Sequence, residues 1–263
     1  MTRRIKRHKD FEITLQIKND DFIRPPRAAQ RNWVLNRAVK EFSDDLTALD
    51  ILARDFIRGS EIDGFDDRGR SSLGAQQIME DWQIPVMQAM AEAVTDSHGD
   101  VLEIGFGRGI ASSYIQDCGV ASHTIIECNP GVIHECGLWR GQHPDAQITI
   151  VSGMWQDVIG QLGAYDGIFF HTYPLNEQDH LEQVVQSATF AEHFFPTAAA
   201  HLNPGGIFSY LSNETDSLSR GHQRLLFRYF TSFTLSRVTG LDIPEDSHDA
   251  QWSDAMVVIK AVK

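Results

Sequence analysis

The sequence is poor in the features that mark membrane-spanning, secreted and disulfide-bonded proteins. It has no uninterrupted apolar run near the ~20 residues that a transmembrane helix needs, and no apolar stretch follows the basic start at residues 1–10. Its three cysteines, Cys118, Cys128 and Cys136, are an odd number and lack metal-type spacing. We therefore expect no membrane span, no secretory signal, no disulfide framework and no metal site, and a reduced, cytoplasmic setting.

Cations are fewer than anions in this chain. The 263 residues include 23 Lys and Arg against 36 Asp and Glu, a net charge of -13. Binding to nucleic acid is driven by Lys and Arg that displace counterions, so we do not expect a nucleic-acid partner. A hydrophobic content of 42% with 22% charged residues is ordinary for a globular protein, which excludes global disorder.

The basic charge is concentrated near the N terminus. Residues 1–40 hold eleven Lys and Arg but four Asp and Glu, a net of +7, which leaves -20 for the rest of the chain. Two interpretations stay open: the basic segment packs on the acidic body, or some of its arginines bind an anionic group at the active cleft. The arginines concerned are Arg24, Arg27, Arg31 and Arg37. A nucleic-acid arm is less favoured because few aromatic residues are interleaved with the cations.

The pattern before residue 100 predicts a helical N-terminal region. A strand is expected at 11–17, a helix at about 28–57, an exposed loop at 58–72 and a second helix at about 74–96. Pro85 should kink or restart that second helix. An N-terminal segment of this kind is able to exchange between two chains, which leaves a homodimer open.

From residue 100 onward, short apolar runs alternate with helical stretches, the longest of which is expected at about 178–202. The expected strands are 100–106, 122–128, 147–152, 165–171 and 206–212, followed by a hairpin of 233–240 and 254–262. Continuous apolar strands separated by helices indicate a parallel sheet that is buried on both faces. The fold class predicted is α/β: a doubly wound, seven-stranded, mostly parallel sheet whose ligands bind at the carboxyl ends of the strands.

A glycine-rich turn with a preceding carboxylate closes the first of these strands. Gly105, Gly107 and Gly109 follow Glu103 in the order E-x-G-x-G-x-G. Glycines allow a tight turn and a close approach of backbone to ligand, whereas the carboxylate disfavours the pyrophosphate of a nicotinamide dinucleotide and suits a cationic ligand. Glu127 ends the next strand, 24 positions after Glu103, where a carboxylate can bind both hydroxyls of a ribose.

Five segments in this order resemble a known enzyme family. They are V-L-E-I-G-F-G, I-I-E-C-N, G-M-W-Q-D-V, Y-D-G-I-F-F-H-T-Y-P-L and L-N-P-G-G, preceded by M-E-D-W-Q-I-P-V-M at 79–87. The chain resembles the class I S-adenosylmethionine-dependent methyltransferases, and more narrowly the guanidinoacetate N-methyltransferase family, over about residues 76–213. The resemblance implies a Rossmann-like fold with a methyltransferase domain at 74–263. It is absent before about residue 70, and we expect residues 1–73 to be a basic arm and helical lid over the acceptor. It also implies S-adenosyl-L-methionine as cofactor and S-adenosyl-L-homocysteine as product.

The resemblance further implies a cofactor site. Its expected members are Met87, Glu103, Gly105, Gly107, Gly109, Glu127, Cys128, Gly153, Met154 and Trp155. The glycine-rich turn and Glu103 would line the methionine part, and Glu127 would hold the ribose. Gly153, Met154 and Trp155 would lie against the adenine, and Met87 would approach from the N-terminal helix.

Two departures from the family concern the acceptor. Family members grip a guanidinium with two carboxylates, but this sequence has Gln83 and His171 at those positions. Because a buried guanidinium without a carboxylate is disfavoured, we expect a small-molecule acceptor other than guanidinoacetate, methylated on nitrogen. The alternatives are O- or C-methylation of a small acidic metabolite, or a catalytically silent cofactor-binding partner subunit. A protein acceptor is less favoured on the same ground.

Three side chains are the candidates for the acceptor end of the site. Histidine titrates near neutrality, so His171 could accept a proton during methyl transfer, or it could hydrogen-bond a neighbouring loop. Gln83 could orient the substrate or pair with His171. Tyr173 could close over the methyl group or pack against the helix. The other histidines, including His193 and His222, are interpreted as surface or core residues.

Overall fold

The computed structural model describes residues 2–5, 13–16, 73–175, 179, 183, 187–243 and 254–263. Near the N terminus, strands β1 (Thr2–Ile5) and β2 (Ile13–Gln16) pair antiparallel, and β2 lies where a strand was expected. The expected helix at 28–57, the loop at 58–72 and the four arginines lie outside the described residues. The division of the chain between residues 73 and 74 therefore stays a prediction.

The main sheet has seven strands. They are β3 (Asp100–Ile104), β4 (Ser122–Glu127), β5 (Ile148–Ser152), β6 (Tyr165–Phe170), β7 (Leu202–Ser212), β8 (Ser232–Thr239) and β9 (Ala255–Val262). Their spatial order is β5-β4-β3-β6-β7-β9-β8. The first five are parallel, whereas β9 runs antiparallel to β7 and β8 antiparallel to β9. The doubly wound sheet and the hairpin at its edge are thus confirmed.

The helices lie between and around these strands. Their bounds are α1 (Ala75–Ile78), α2 (Ile84–Val94), α3 (Ile110–Asp117), α4 (Pro130–Arg140), α5 (Trp155–Val158), α6 (Phe195–His201) and α7 (Arg220–Tyr229). Short 3-10 segments cover Asp81–Gln83, Ile159–Gln161 and Phe190–Phe194. No helix within the described part of the chain has the length and apolar character needed to cross a membrane.

Two prolines set where helices begin. Pro85 lies in the first turn of α2, where its missing N–H costs nothing, so the expected restart of the 74–96 helix is confirmed. Pro196 has the same position in α6. The helix expected across 178–202 is interrupted in its described part, since 187–189 is non-helical and a 3-10 segment precedes α6.

The core forms two layers, one on each face of the sheet. Apolar residues of α2, among them Met90 and Val94, pack with Val101 and Phe169 on one face. Leu102 and Ile104 on β3 face the other layer, which contains α6 and α7. Since side chains alternate along a strand, Val101 and Glu103 share the face that α2 and α3 cover. This alternation directs the side chain of Glu103 toward the layer of α2 and α3.

Candidate active site

A cavity opens at the carboxyl edge of the sheet, where β3, β4, β5 and β6 all end. The expected site residues that line it are Met87, Gly105, Gly107, Glu127, Cys128, Gly153, Met154, Trp155, His171 and Tyr173. Parallel strands bring their carboxyl ends to one edge, so residues far apart in sequence meet there. Glu103, Gly109 and Gln83 are the expected site residues that are absent from its described lining.

The turn after β3 presents bare backbone to the cavity. Gly105 has a φ of 90°, and a Cβ there would collide with the carbonyl oxygen of His171. The backbone of the two strands meets at the same point, because the N–H of His171 donates to the carbonyl of Ile104 at 3.2 Å. Only glycine meets both demands, a left-handed conformation and close approach.

Glu103 and Gly109 support this turn from outside the cavity. Glu103 is fully buried beneath α3, where its Oε2 accepts a 2.6 Å hydrogen bond from the Ser112 hydroxyl. His123 Nε2 lies 2.9 Å from the same oxygen, at ion-pair distance but out of line for a hydrogen bond. Gly109 caps α3 and packs against the Phe106 ring. The expectation that the side chain of Glu103 lines the cofactor site is corrected, because strand alternation turns it under the helix layer.

Glu127 is held in one orientation by backbone amides. Its Oε1 accepts from the N–H groups of Cys128 at 2.8 Å and Asn129 at 2.9 Å, and its Oε2 accepts from Phe106 at 3.0 Å. Carboxylate oxygens have further lone pairs, so the group can accept more hydrogen bonds at the cavity. Burial, and then the charge of Glu127, raise the pKa of the Cys128 thiol to about 11, so Cys128 stays protonated at neutral pH and is no nucleophile.

Gln83 lies behind the cavity and acts on it through Tyr173. Its side chain is 1% exposed, and its amide nitrogen donates a 2.6 Å hydrogen bond to the Tyr173 hydroxyl. Tyr173 and His171 pack edge to face, with ring centroids 5.2 Å apart. The contact that the structure shows for Gln83 is the one to Tyr173, and the expected contact with substrate or with His171 stays a prediction.

The cavity also contains residues that the sequence did not single out for function. His193, interpreted as a surface or core residue, lines it, and so does Asp179. His193 Nδ1 lies 2.6 Å from the Phe190 carbonyl, and its ring contacts Trp155 and Phe170. Burial lowers the pKa of His193, with the Phe190 contact and the charge of Asp179 opposing it. The sequence feature that could have pointed to Asp179 as a site residue was its position shortly after the T-Y-P-L segment, which is a weak signal.

Comparison with known proteins identifies the family. The model described as guanidinoacetate N-methyltransferase matches residues 64–223, more than half of the chain. The chain belongs to this family. It is a class I S-adenosylmethionine-dependent methyltransferase, as the resemblance of its sequence segments implied.

The curated relatives correct the expected acceptor. Protein arginine N-methyltransferase 2 of Yarrowia lipolytica is 30% identical over 174 residues, covering 59% of this chain and 34% of that protein. The same-named protein of Candida glabrata is 25% identical over 178 residues, covering 64% and 40%. This chain thus spans less than half the length of these relatives. Since they are named for arginine in protein, the predictions of a small-molecule acceptor and partner were wrong.

Solved structures agree on the fold. A spermidine synthase in complex with the transition-state analogue AdoDATO superposes with a TM-score of 0.51 at 18% identity, covering 70% of this chain and 62% of that one. Spermidine synthase from Thermotoga maritima gives a TM-score of 0.50 at 16% identity, with 70% and 61% covered. At such identity the likeness supports the Rossmann-like architecture alone.

Proposed function

We propose that this chain transfers a methyl group to a guanidino nitrogen of arginine in a protein. The observation that carries the proposal is the charge of the cavity: its charged described side chains are the carboxylates Glu127 and Asp179, and no described lysine or arginine lines it. Such a lining favours cationic guests. The names of the relatives point to the same acceptor.

The residues at the sheet edge fit S-adenosylmethionine. When bound, this cofactor supplies a methyl group on an activated sulfonium. Gly105 and Gly107 leave backbone open to its methionine part, and Glu127 has carboxylate oxygens for the ribose hydroxyls. Met154 and Trp155 offer an apolar wall for the adenine. Met87, Cys128 and Gly153 complete this assignment, while Glu103 and Gly109 hold the turn from behind.

We assign His171 the role of proton acceptor. Methylation of a guanidinium forms a C–N bond as the C–S bond breaks, and one N–H proton must then leave the nitrogen. A ring nitrogen of His171 accepts it, since this side chain follows the end of β6 and lines the cavity. Tyr173, fixed by Gln83, borders the acceptor and excludes water. Placing the nitrogen in line with the methyl group supplies most of the acceleration.

Two broader assignments belong to the same proposal. Residues 74–263 are assigned to the methyltransferase domain, and residues 1–73 to a separate N-terminal part of the chain. We place the protein in the cytoplasm, because Cys118, Cys128 and Cys136 are all free thiols and disulfides are rare in that compartment.

The test is methyl transfer from radiolabelled S-adenosylmethionine to an arginine-rich peptide, compared with a lysine-substituted peptide and with free guanidinoacetate. We expect label in the arginine peptide alone. His171→Ala should lower kcat about a hundredfold or more while cofactor affinity is kept. His134→Ala, a change at an exposed position of α4, is the matched control and should leave kcat unchanged. Transfer to guanidinoacetate in preference to peptide would refute the proposal, and full turnover by His171→Ala would refute the proton role.

A further inference from the structure

One carboxylate that lines the cavity, that of Asp179, has no role in the assignments above. Two carboxylates line the described cavity, Glu127 where β4 ends and Asp179 beyond β6. Glu127 accepts hydrogen bonds from three backbone N–H groups around the glycine-rich turn, which keeps it at the cofactor end. Asp179 lines the same cavity as His171 and Tyr173 and follows them in the chain.

The two positions where the family carries guanidinium-binding carboxylates carry no negative charge here. Gln83 is buried behind Tyr173 and does not line the cavity, and His171 brings an imidazole. A guanidinium that leaves water for a partly enclosed cavity is stabilised only when a carboxylate meets it. An arginine acceptor therefore requires a carboxylate from another part of the chain.

The surroundings of Asp179 suit a planar cation. Its charge acts on His193, whose ring contacts Trp155, Phe170 and Phe190. Asp179, His193 and Tyr173 line the same cavity. Guanidinium groups bind carboxylates through their edge and stack on aromatic rings through their face, so a cavity lined by Asp179 and Tyr173 offers both kinds of contact.

We infer that Asp179 is the carboxylate that binds the guanidinium of the acceptor arginine and selects a cationic acceptor, an inference that rests on the proposed function. Asp179 thereby supplies the negative charge that Gln83 and His171 lack. The cavity then holds one carboxylate for each guest, Glu127 for the cofactor and Asp179 for the acceptor.

Calorimetric binding of two peptides to the protein saturated with S-adenosylhomocysteine tests this role without turnover. One peptide contains arginine, and the other contains citrulline, which is neutral and has nearly the same shape. The wild type should bind the arginine peptide more tightly. Asp179→Asn should raise the Kd of the arginine peptide about tenfold or more and remove most of its preference over the citrulline peptide. The affinity for S-adenosylhomocysteine should stay unchanged.

Two variants separate charge from structure. Asp179→Glu should recover part of the arginine preference, and Asp157→Asn, an exposed change on α5, should leave it intact. The inference is overturned if Asp179→Asn keeps the wild-type preference, or if it loses cofactor and peptide affinity together. If the wild type methylates arginine peptides and Asp179→Asn does so equally well, the proposed function stands and the inference alone falls. If the wild type transfers no methyl to arginine peptides, both fall.

Discussion

Gln83 and Tyr173 are joined by a 2.6 Å hydrogen bond from the side-chain amide to the phenol oxygen, across 90 positions of sequence. The bond links the helix layer of the N-terminal part of the fold to the segment that follows β6. Gln83, at a position where the family resemblance implies a carboxylate, thus holds the aromatic side chain of Tyr173 at the cavity.

Replacing Gln83 tests that support. Gln83→Leu keeps a side chain of similar size but removes the amide N–H donor, so the Tyr173 phenol loses the hydrogen bond that fixes it. We expect kcat to fall about tenfold while the Kd of S-adenosylhomocysteine stays within a factor of two or so, measured by steady-state kinetics and calorimetry. Gln88→Leu, an exposed change on α2, is the control. Unchanged turnover in Gln83→Leu would remove Tyr173 from the account of the acceptor end.

The close approach of Gly105 to His171 predicts a cofactor defect. In Gly105→Ala the added methyl group meets the His171 carbonyl, and the residue must also keep a φ of 90°. Strain of this kind costs about 1–3 kcal/mol, and its relief must displace the turn from the position that binds the cofactor, so the Kd of S-adenosylhomocysteine should rise about tenfold or more. Gly137→Ala on α4 has open space around its Cβ and should bind normally. Equal affinities in the two variants would contradict the assignment of this turn to the cofactor.

A buried polar cluster on the opposite face predicts a stability defect without a binding defect. His222 Nδ1 lies 2.7 Å from Glu214 Oε2, and its Nε2 lies 2.5 Å from the Tyr210 hydroxyl, all three side chains being nearly inaccessible. His222→Ala removes the side chain that links the buried Tyr210 hydroxyl to the buried Glu214, whose carboxylate then keeps the Ser219 N–H as a donor, so the free energy of unfolding should fall by about 3–5 kcal/mol in urea denaturation. Arg224→Ala, exposed on the same helix, should change it by about 0.5 kcal/mol or less. A loss for His222→Ala no larger than the control's would show that the cluster adds no stability.

The thiol in the cavity gives a pH-dependent prediction. Burial, helped by the charge of Glu127, raises the pKa of Cys128 to about 11, and burial raises that of Cys136 to about 12. A raised thiol pKa means less thiolate at neutral pH, so alkylation of both residues in the folded protein should be slow and should accelerate toward alkaline pH. Peptide mapping after iodoacetamide treatment measures this, with the urea-unfolded protein as reference. Labelling of native Cys128 with a midpoint near the ordinary thiol value of about 8.5 would contradict the buried environment.

Much of the fold was predictable because its signals are local. Apolar runs marked the strands from β3 onward, and the E-x-G-x-G-x-G turn with Glu127 marked the cofactor end. The direction of Glu103 was not predictable, because a continuous apolar run does not show which layer each face meets. Its neighbours Leu102 and Ile104 face one layer, so Glu103 faces the other.

The acceptor end was misjudged for a different reason. Gln83 and His171 stand at the two positions where the family resemblance implies guanidinium-binding carboxylates, and their lack of negative charge favoured a small-molecule acceptor. Asp179 and His193, which follow β6 in the chain, also line the cavity. No local periodicity marks their place there, since it is a property of the tertiary fold.

The most direct test of the central claim is tandem mass spectrometry of an arginine-containing peptide after incubation with the purified chain and S-adenosylmethionine labelled with a deuterated methyl group. The account predicts the labelled methyl on the guanidino group of arginine, with formation of S-adenosylhomocysteine. A labelled methyl on lysine, on a backbone terminus or on a small metabolite, with arginine unmodified, would contradict it.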